Sequence, residues 1–193
     1  MPAYADLDPR GRLGPEWAAD EPARTRAIER LLALREALRT QGPPPRSPGT
    51  LVLGTWNLRE FDSGSWGLRL PESYAYIAEV MDRFDLVAIQ EVRSDLQALQ
   101  QLQQRLGPDW SYLVSDVTEG RAGNHERLAF LYDTTKVRFL GIAGELVLPP
   151  VTKGGIDVPA QQVARTPLMA TFQVGWTKFV LATVHILYGE DSA

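Results

Sequence analysis

Hydrophobic positions along the chain change their period several times, and each change marks an element. From Pro22 to about Thr40, Ala27, Leu31, Leu34 and Leu38 recur at spacings that place them on one face of a helix, with Glu and Arg opposite. Pro22 suits the first turn and Gly42-Pro43-Pro44-Pro45 ends it. Ile77, Val80, Met81 and Phe84 repeat the helical spacing over Ser73–Phe84. Ser94 is the expected cap of a third helix that turns Leu96, Leu99, Leu102 and Leu106 inward. Strands are predicted at Leu51–Trp56, Leu86–Ile89, Trp110–Ser115, Leu128–Tyr132, Val137–Leu148, Leu168–Val174 and Phe179–His185. The order of strand, helix, strand, helix and then a run of strands implies an α+β fold, a mixed sheet with helices on one face. The first twenty residues lack periodicity and read as a frayed or surface-draped tail, and Gln41–Gly49 as an extended Pro-rich linker. The expected organisation is an N-terminal extension over 1–49, with one amphipathic helix, and a domain over 50–193.

Composition narrows the chemistry. The 193 residues fit one soluble globular domain. A net charge of −4 excludes a general positive field for nucleic acid, so a polyanionic substrate needs local help such as a metal ion. Only three of the 20 basic residues are Lys, which favours the planar, bidentate contacts of Arg; codon bias accounts for it equally well. With no Cys and 2 His, disulfides, thiolate zinc sites and His-rich metal sites are all excluded. No apolar run reaches the length of a membrane span and the opening residues carry no signal pattern, so a cytoplasmic location with no membrane partner is expected. Gly154-Gly155 lacks the lysine and helix of a phosphate loop and reads as a turn.

The informative polar residues stand at the ends of apolar strands. Leu51–Trp56 runs into Asn57, Leu86–Ile89 into Gln90-Glu91, and Phe179–Val184 into His185. If these strands are neighbours in one sheet, Asn57, Glu91 and His185 converge at one rim, where open sheets bind ligands. Singly, each reads as an ordinary turn former or solvated group; the conjunction is what points to a site.

Thr55-Trp56-Asn57-Leu58-Arg59-Glu60-Phe61, Ile89-Gln90-Glu91-Val92-Arg93-Ser94-Asp95, Glu126-Arg127-Leu128-Ala129-Phe130-Leu131-Tyr132, Arg165-Thr166-Pro167 and Ala182-Thr183-Val184-His185 follow one another in a familiar order. This pattern resembles the endonuclease/exonuclease/phosphatase superfamily, closest to its deoxyribonuclease I-like branch. The resemblance implies a fold of two sheets packed face to face. It implies Glu91 as ligand of a divalent metal, magnesium or manganese, with Asn57 beside the scissile phosphate and helping to hold the metal site. Hard oxygen ligands and retained waters suit magnesium. His185 corresponds to a histidine that contacts phosphate and assists proton transfer, and Glu126 to the carboxylate that hydrogen-bonds it. Such a partner is expected to raise the imidazole pKa. Arg165 corresponds to a phosphate-contacting arginine and Arg93 to one that enters the DNA minor groove. Beside these, Arg93 also reads as a solvated residue before a helix and Arg165 as a surface ion pair. Tyr132 reads as a packing residue, His125 as a loop histidine, and Trp66 either as a substrate contact or as cover for a sheet edge.

The superfamily pattern continues past the His strand with Asp-x-Asn, a further aspartate and Ser-Asp-His, for which this sequence has no counterpart. The expectation is therefore a domain incomplete at its C-terminus, with a partner chain or missing C-terminal segment covering the open sheet. The expected function is a metal-dependent phosphodiester hydrolase, a deoxyribonuclease I-like endonuclease in full-length form acting on DNA rather than RNA, with this fragment inactive alone. The alternatives are a phosphatase or a lipid or small-molecule phosphodiesterase of the same superfamily, or a non-catalytic remnant that binds a partner through Pro22–Thr40.

Overall fold

The computed structural model describes residues 2–7, 20–66, 69–117, 126–158, 160 and 165–186. His125 and the side chain of Trp66 lie outside the described residues, as do parts of the loops on either side of them. Helix α1 spans Glu21–Gln41, α2 Pro71–Met81 and α3 Gln97–Leu106. The strands are β1 Leu53–Asn57, β2 Leu86–Arg93, β3 Trp110–Val114, β4 Glu126–Asp133, β5 Arg138–Glu145, β6 Val151–Lys153, β7 Ile156–Val158, β8 Leu168–Val174 and β9 Thr177–Thr183.

Three layers result. A four-stranded sheet in the order β1-β2-β4-β3 has β1 parallel to β2 and the other pairs antiparallel. One face is covered by α2 and α3, where Ile77, Met81, Leu99 and Leu102 meet Val87, Ile89 and Leu131. The opposite face meets a second sheet, β5-β8-β9, through Leu86, Phe130, Tyr132, Leu168 and Phe172. Period-two alternation divides β4 between these cores: Ala129 and Leu131 face the helices, Leu128, Phe130 and Tyr132 the second sheet. Phe172 is fully buried and stacks edge-on against Phe130 and Tyr132, so Tyr132 is a packing residue. The mixed sheet and its helices follow the hydrophobic pattern, and the second sheet makes the fold the two-sheet α+β sandwich that the resemblance implied.

Several local expectations need correction. Ser94 does not cap α3; Leu96 holds the cap position in a left-handed backbone conformation, and the Asp95 side chain accepts from the Gln97 N–H at 3.1 Å. The short Asx turn satisfies one of the helix's orphan donors more directly than Ser94. The N-terminal residues are not uniformly frayed, since Leu7 is buried with Ala27, Leu31 and Ala75, and the Ala3 N–H donates to Arg105 O at 2.6 Å. Ala27 and Leu31 of the apolar stripe of α1 pack against Ala75 of α2, reinforced by Arg26–Glu72 at 2.8 Å and Arg35–Glu79 at 2.9 Å. Gly154-Gly155 forms the turn between β6 and β7 with φ of +60° and +80°, a conformation that glycine adopts without strain. Gly54 is required for another reason: a Cβ there would stand 2.9 Å from the Phe84 ring.

The Pro-rich linker is strapped down by charge. Arg46 Nη1 lies 2.7 Å from Asp133 Oδ2 and donates to Phe84 O at 3.2 Å. Lys136 Nζ bonds both Ser47 O and Asp85 Oδ2 at 2.7 Å. Asp85, fully buried, also accepts from the Val52 N–H at 2.7 Å, joining linker, β1 and β2 at one carboxylate. Asp85→Ala leaves Lys136 and the Val52 N–H without their acceptor, and the expected loss is about 3 kcal/mol. Urea unfolding, read as a lower midpoint at unchanged slope, checks it.

Candidate active site

The rim of the sandwich at the C-terminal ends of β1 and β2 collects the strand-end polar residues, but from both sheets. Asn57 and Glu91 belong to the first sheet; His185, two residues past β9, and Arg165, three before β8, come from the second. The condition set on the sequence, that the three strands be neighbours in one sheet, is not met, and face-to-face packing of two sheets makes the convergence instead.

Glu91 reaches the rim through a bulge. Pairing of β2 with β4 shifts register between Ile89 and Val92, and Glu91 takes φ of +62°. Its Oε1 accepts from Asn57 Nδ2 at 2.6 Å and its Oε2 from the Glu60 N–H at 2.6 Å. Asn57 Oδ1 is itself held by the Arg59 N–H at 2.8 Å, which fixes the amide orientation. Asn57 therefore shows the carboxylate an N–H donor while its own oxygen is engaged by the Arg59 N–H. Arg59 and Glu60 have φ of +49° and +45°, so this loop holds a strained backbone to present those two N–H groups.

The second half of the cluster is built around Arg165. Its Nη2 pairs with Glu126 Oε2 at 3.2 Å, both side chains being 9% exposed. Its Nη1 lies 2.8 Å from Nδ1 and 2.9 Å from Nε2 of His185, across the nitrogen edge of the ring. Glu126 Oε2 stands 3.4 Å from His185 Nδ1, Glu91 Oε1 3.4 Å from Nε2, and Asn57 Nδ2 3.4 Å from Nε2. Burial and the Arg165 charge hold the imidazole below its ordinary pKa, against the pull of Glu91. The expected rise driven by Glu126 does not occur, because that carboxylate spends its charge on Arg165.

Arg93 does not join the cluster. Its Nε lies 3.6 Å from Asp95 Oδ2, in an exposed pair beside the rim. Sequence reasoning missed Gln90 and Thr183. Gln90 Nε2 donates to Thr55 Oγ1 at 3.1 Å and to Thr183 Oγ1 at 3.0 Å, crossing between the sheets. The available signal was an amide in an apolar strand and a threonine two residues before His185.

Among the described residues no group of three or more carboxylate, imidazole or thiol side chains is placed to hold a metal ion. Two carboxylates against one guanidinium nevertheless leave the cluster net negative. Glu91, oriented by two N–H groups, suits a hard cation that keeps most of its waters and takes one protein carboxylate, the habit of magnesium.

Residues 54–168, more than half of the chain, match the Endonuclease/Exonuclease/phosphatase family, and the chain belongs to it. Members of this family are hydrolases acting on phosphate esters, generally dependent on a divalent metal, and the deoxyribonuclease I-like type fits the fold. An endonuclease/exonuclease/phosphatase family protein from Bacteroides thetaiotaomicron is similar at 21% identity and TM-score 0.48, over 68% of this chain and 48% of that one. The human Nocturnin catalytic domain with bound sulfate anion is similar at 12% identity and TM-score 0.48, over 72% of this chain and 51% of that one. The endonuclease/exonuclease/phosphatase from Bacteroides vulgatus is similar at 16% identity and TM-score 0.49, over 68% and 51%. The chain thus spans about half the length of the solved structures it matches. No protein of curated function matches the sequence. Among the described residues no helix is long and apolar enough to cross a membrane.

Arg165→Met removes the cation that disfavours the imidazolium and leaves Glu91 and Glu126 to favour it, so the His185 pKa is expected to rise. The sign carries to stability. A depressed folded-state pKa contributes stability above the unfolded value, lost as pH falls through the folded pKa, and the variant shows less of this acid-side loss. Titration of the imidazole by NMR reads the shift; an unchanged or lowered midpoint contradicts it.

Proposed function

We propose that this chain carries the Glu91 portion of a divalent-metal phosphodiesterase site, and that the whole protein is a deoxyribonuclease I-like endonuclease acting on DNA. The observation that carries the reading is the meeting of Asn57, Glu91, Glu126, Arg165 and His185 at one rim, from two sheets. Glu91 is the residue that would hold magnesium or manganese, and the bound ion would supply Lewis acidity toward a phosphate oxygen. Arg165 binds a non-bridging phosphate oxygen through its planar fork while Glu126 fixes its orientation. Asn57 Nδ2 donates to the same phosphate without adding charge. His185, neutral, donates its one ring N–H to a phosphate oxygen as negative charge develops there.

Arg93 is exposed beside the rim and supplies a cation where the flanking duplex would lie, in keeping with a minor-groove role. DNA is favoured over RNA by the resemblance of the Gln90-Glu91-Val92-Arg93 stretch to deoxyribonuclease I. The overall negative charge is compatible with this, since the bound cation and local arginines offset phosphate charge.

Nicking of supercoiled plasmid in magnesium, by the chain and by a form extended to the length of its family relatives, tests the proposal. The extended form is expected to nick and the chain alone to remain near background. Glu91→Ala and Arg165→Met in the extended form are expected to lose at least about 100-fold, and a chelator to abolish the activity. A folded extended form that leaves plasmid intact but hydrolyses a phosphomonoester or a lipid phosphodiester replaces the nuclease reading with that one.

A further inference from the structure

Asn57 and Glu91 stand on the first sheet and Arg165 and His185 on the second, so the cluster works only if the two sheets keep one register at this rim. The core between them is apolar, made of Leu86, Ala88, Phe130, Leu168 and Phe172, and apolar contact is non-directional. It holds the sheets together without fixing their offset to fractions of an ångström. Gln90 departs from this pattern. It follows Leu86 and Ala88 on the sandwich face of β2, is 7% exposed, and ends in an amide where another apolar residue would serve burial as well. Thr183, which it meets, is 4% exposed.

We propose that Gln90 is a positioning residue that sets the register of the two sheets at the candidate site, by tying Thr55 of β1 and Thr183 of β9 to β2 through one side-chain amide. The inference rests on the phosphodiesterase reading of the site. The placement is regular. Thr55 lies two residues before Asn57, Thr183 two residues before His185, and Gln90 immediately before Glu91. Residues two apart share a face of a strand and are separated by about 7 Å, so each hydrogen bond acts one step behind the side chain that it locates. The distances are 3.1 Å to Thr55 Oγ1 and 3.0 Å to Thr183 Oγ1, both within the ordinary hydrogen-bond range. Several site contacts span the two sheets, among them Arg165–Glu126 at 3.2 Å and Glu91–His185 at 3.4 Å, and the Asn57–His185 separation of 3.4 Å joins the residues that stand two beyond each threonine of this tie.

The test uses the labelled full chain, in which 2 histidines make the imidazole signals simple to assign. Thr183→Val keeps the side-chain shape and removes the acceptor, Gln90→Met keeps the length and removes both donors, and Thr183→Ser keeps the hydroxyl. The readouts are the NOE between the His185 ring and the Asn57 side-chain amide, and the His185 ring nitrogen shifts. Thr183→Val and Gln90→Met are expected to lose the NOE and move the ring shifts while amide signals of the helices stay in place, and Thr183→Ser is expected to restore the wild-type pattern. In an active extended form, Thr183→Val is expected to lower kcat about 10- to 100-fold with KM little changed. If both variants keep the NOE and the ring shifts and lose only Tm, Gln90 is a stabilising residue and the proposal is overturned. Should Gln90→Met not fold, the Thr183→Val and Thr183→Ser pair decides alone. Manganese alone, added to the wild-type chain, checks the underlying reading separately. Absence of line broadening at the Asn57 side-chain amide counts against a cation at Glu91, while the NOE comparison still decides the role of Gln90.

Discussion

Between Ile89 and Val92 the pairing of β2 with β4 admits one extra residue on β2, and the strand changes face as a result. Ahead of the bulge, Val87 and Ile89 point to the helices and Leu86 and Ala88 to the second sheet; beyond it, Val92 returns to the helix side. Unbroken alternation would place Glu91 among Val87 and Ile89, in an apolar core where a carboxylate is not tolerated unpaired. The bulge releases it to the rim instead. The left-handed backbone at Glu91 costs about 1–2 kcal/mol, and the hydrogen bonds from Asn57 Nδ2 and the Glu60 N–H, with that from the Phe61 N–H to Glu91 O, offset it. Strain and site coincide because the same contacts that hold the backbone orient the carboxylate.

The electrostatics of the rim follow from which cation each carboxylate finds. Arg165 lies between Glu126 and His185 and touches both, so the glutamate neutralises the arginine and the arginine keeps the imidazole neutral. Among the described residues Glu91 meets no guanidinium; it accepts from two amide N–H groups and stands 3.4 Å from His185 Nε2. A buried ion pair such as Arg165–Glu126 adds little net stability, but removing either partner strands the other. Its value here is directional: it fixes the guanidinium against the nitrogen edge of His185. Far from the site, Asp85, Asp133, Lys136 and Arg46 use the same physics for a structural end, holding the Pro-rich segment onto the first sheet.

The chain belongs to a family of phosphate-ester hydrolases, and the two halves of the polar cluster at its rim come from two sheets. The chain spans about half the length of the solved structures it matches, and the described cluster brings together a carboxylate, an imidazole and a guanidinium, with His185 in contact with both Glu91 and Arg165. Each of these is oriented by a neighbour: Asn57 and Glu60 for Glu91, Glu126 for Arg165, and Arg165 in turn for His185. Such preorganisation is what lets a few side chains act on a phosphate without reorganising first.

The sequence by itself determined the elements and their order. Helical spacing along α1 and α2, period-two alternation along β4 and the glycine pair between β6 and β7 are local properties, set by the stereochemistry of neighbouring residues. It also placed Asn57, Glu91 and His185 among the candidates, because polar residues closing apolar strands are visible in one dimension, while Glu126 and Arg165 entered through the family resemblance alone. Only the tertiary structure decided which of them meet, and how. The bulge in β2 carries no local signature, so the exit of Glu91 to the rim was not legible, and neither was the Asp95 turn that replaces Ser94 at the start of α3. The protonation preference of His185, the donor role of Asn57 and the outward pairing of Arg93 depend on charges and lone pairs brought close from distant parts of the chain. Electrostatic and hydrogen-bond energies fall off over a few ångströms in space, and separation along the sequence does not report that distance.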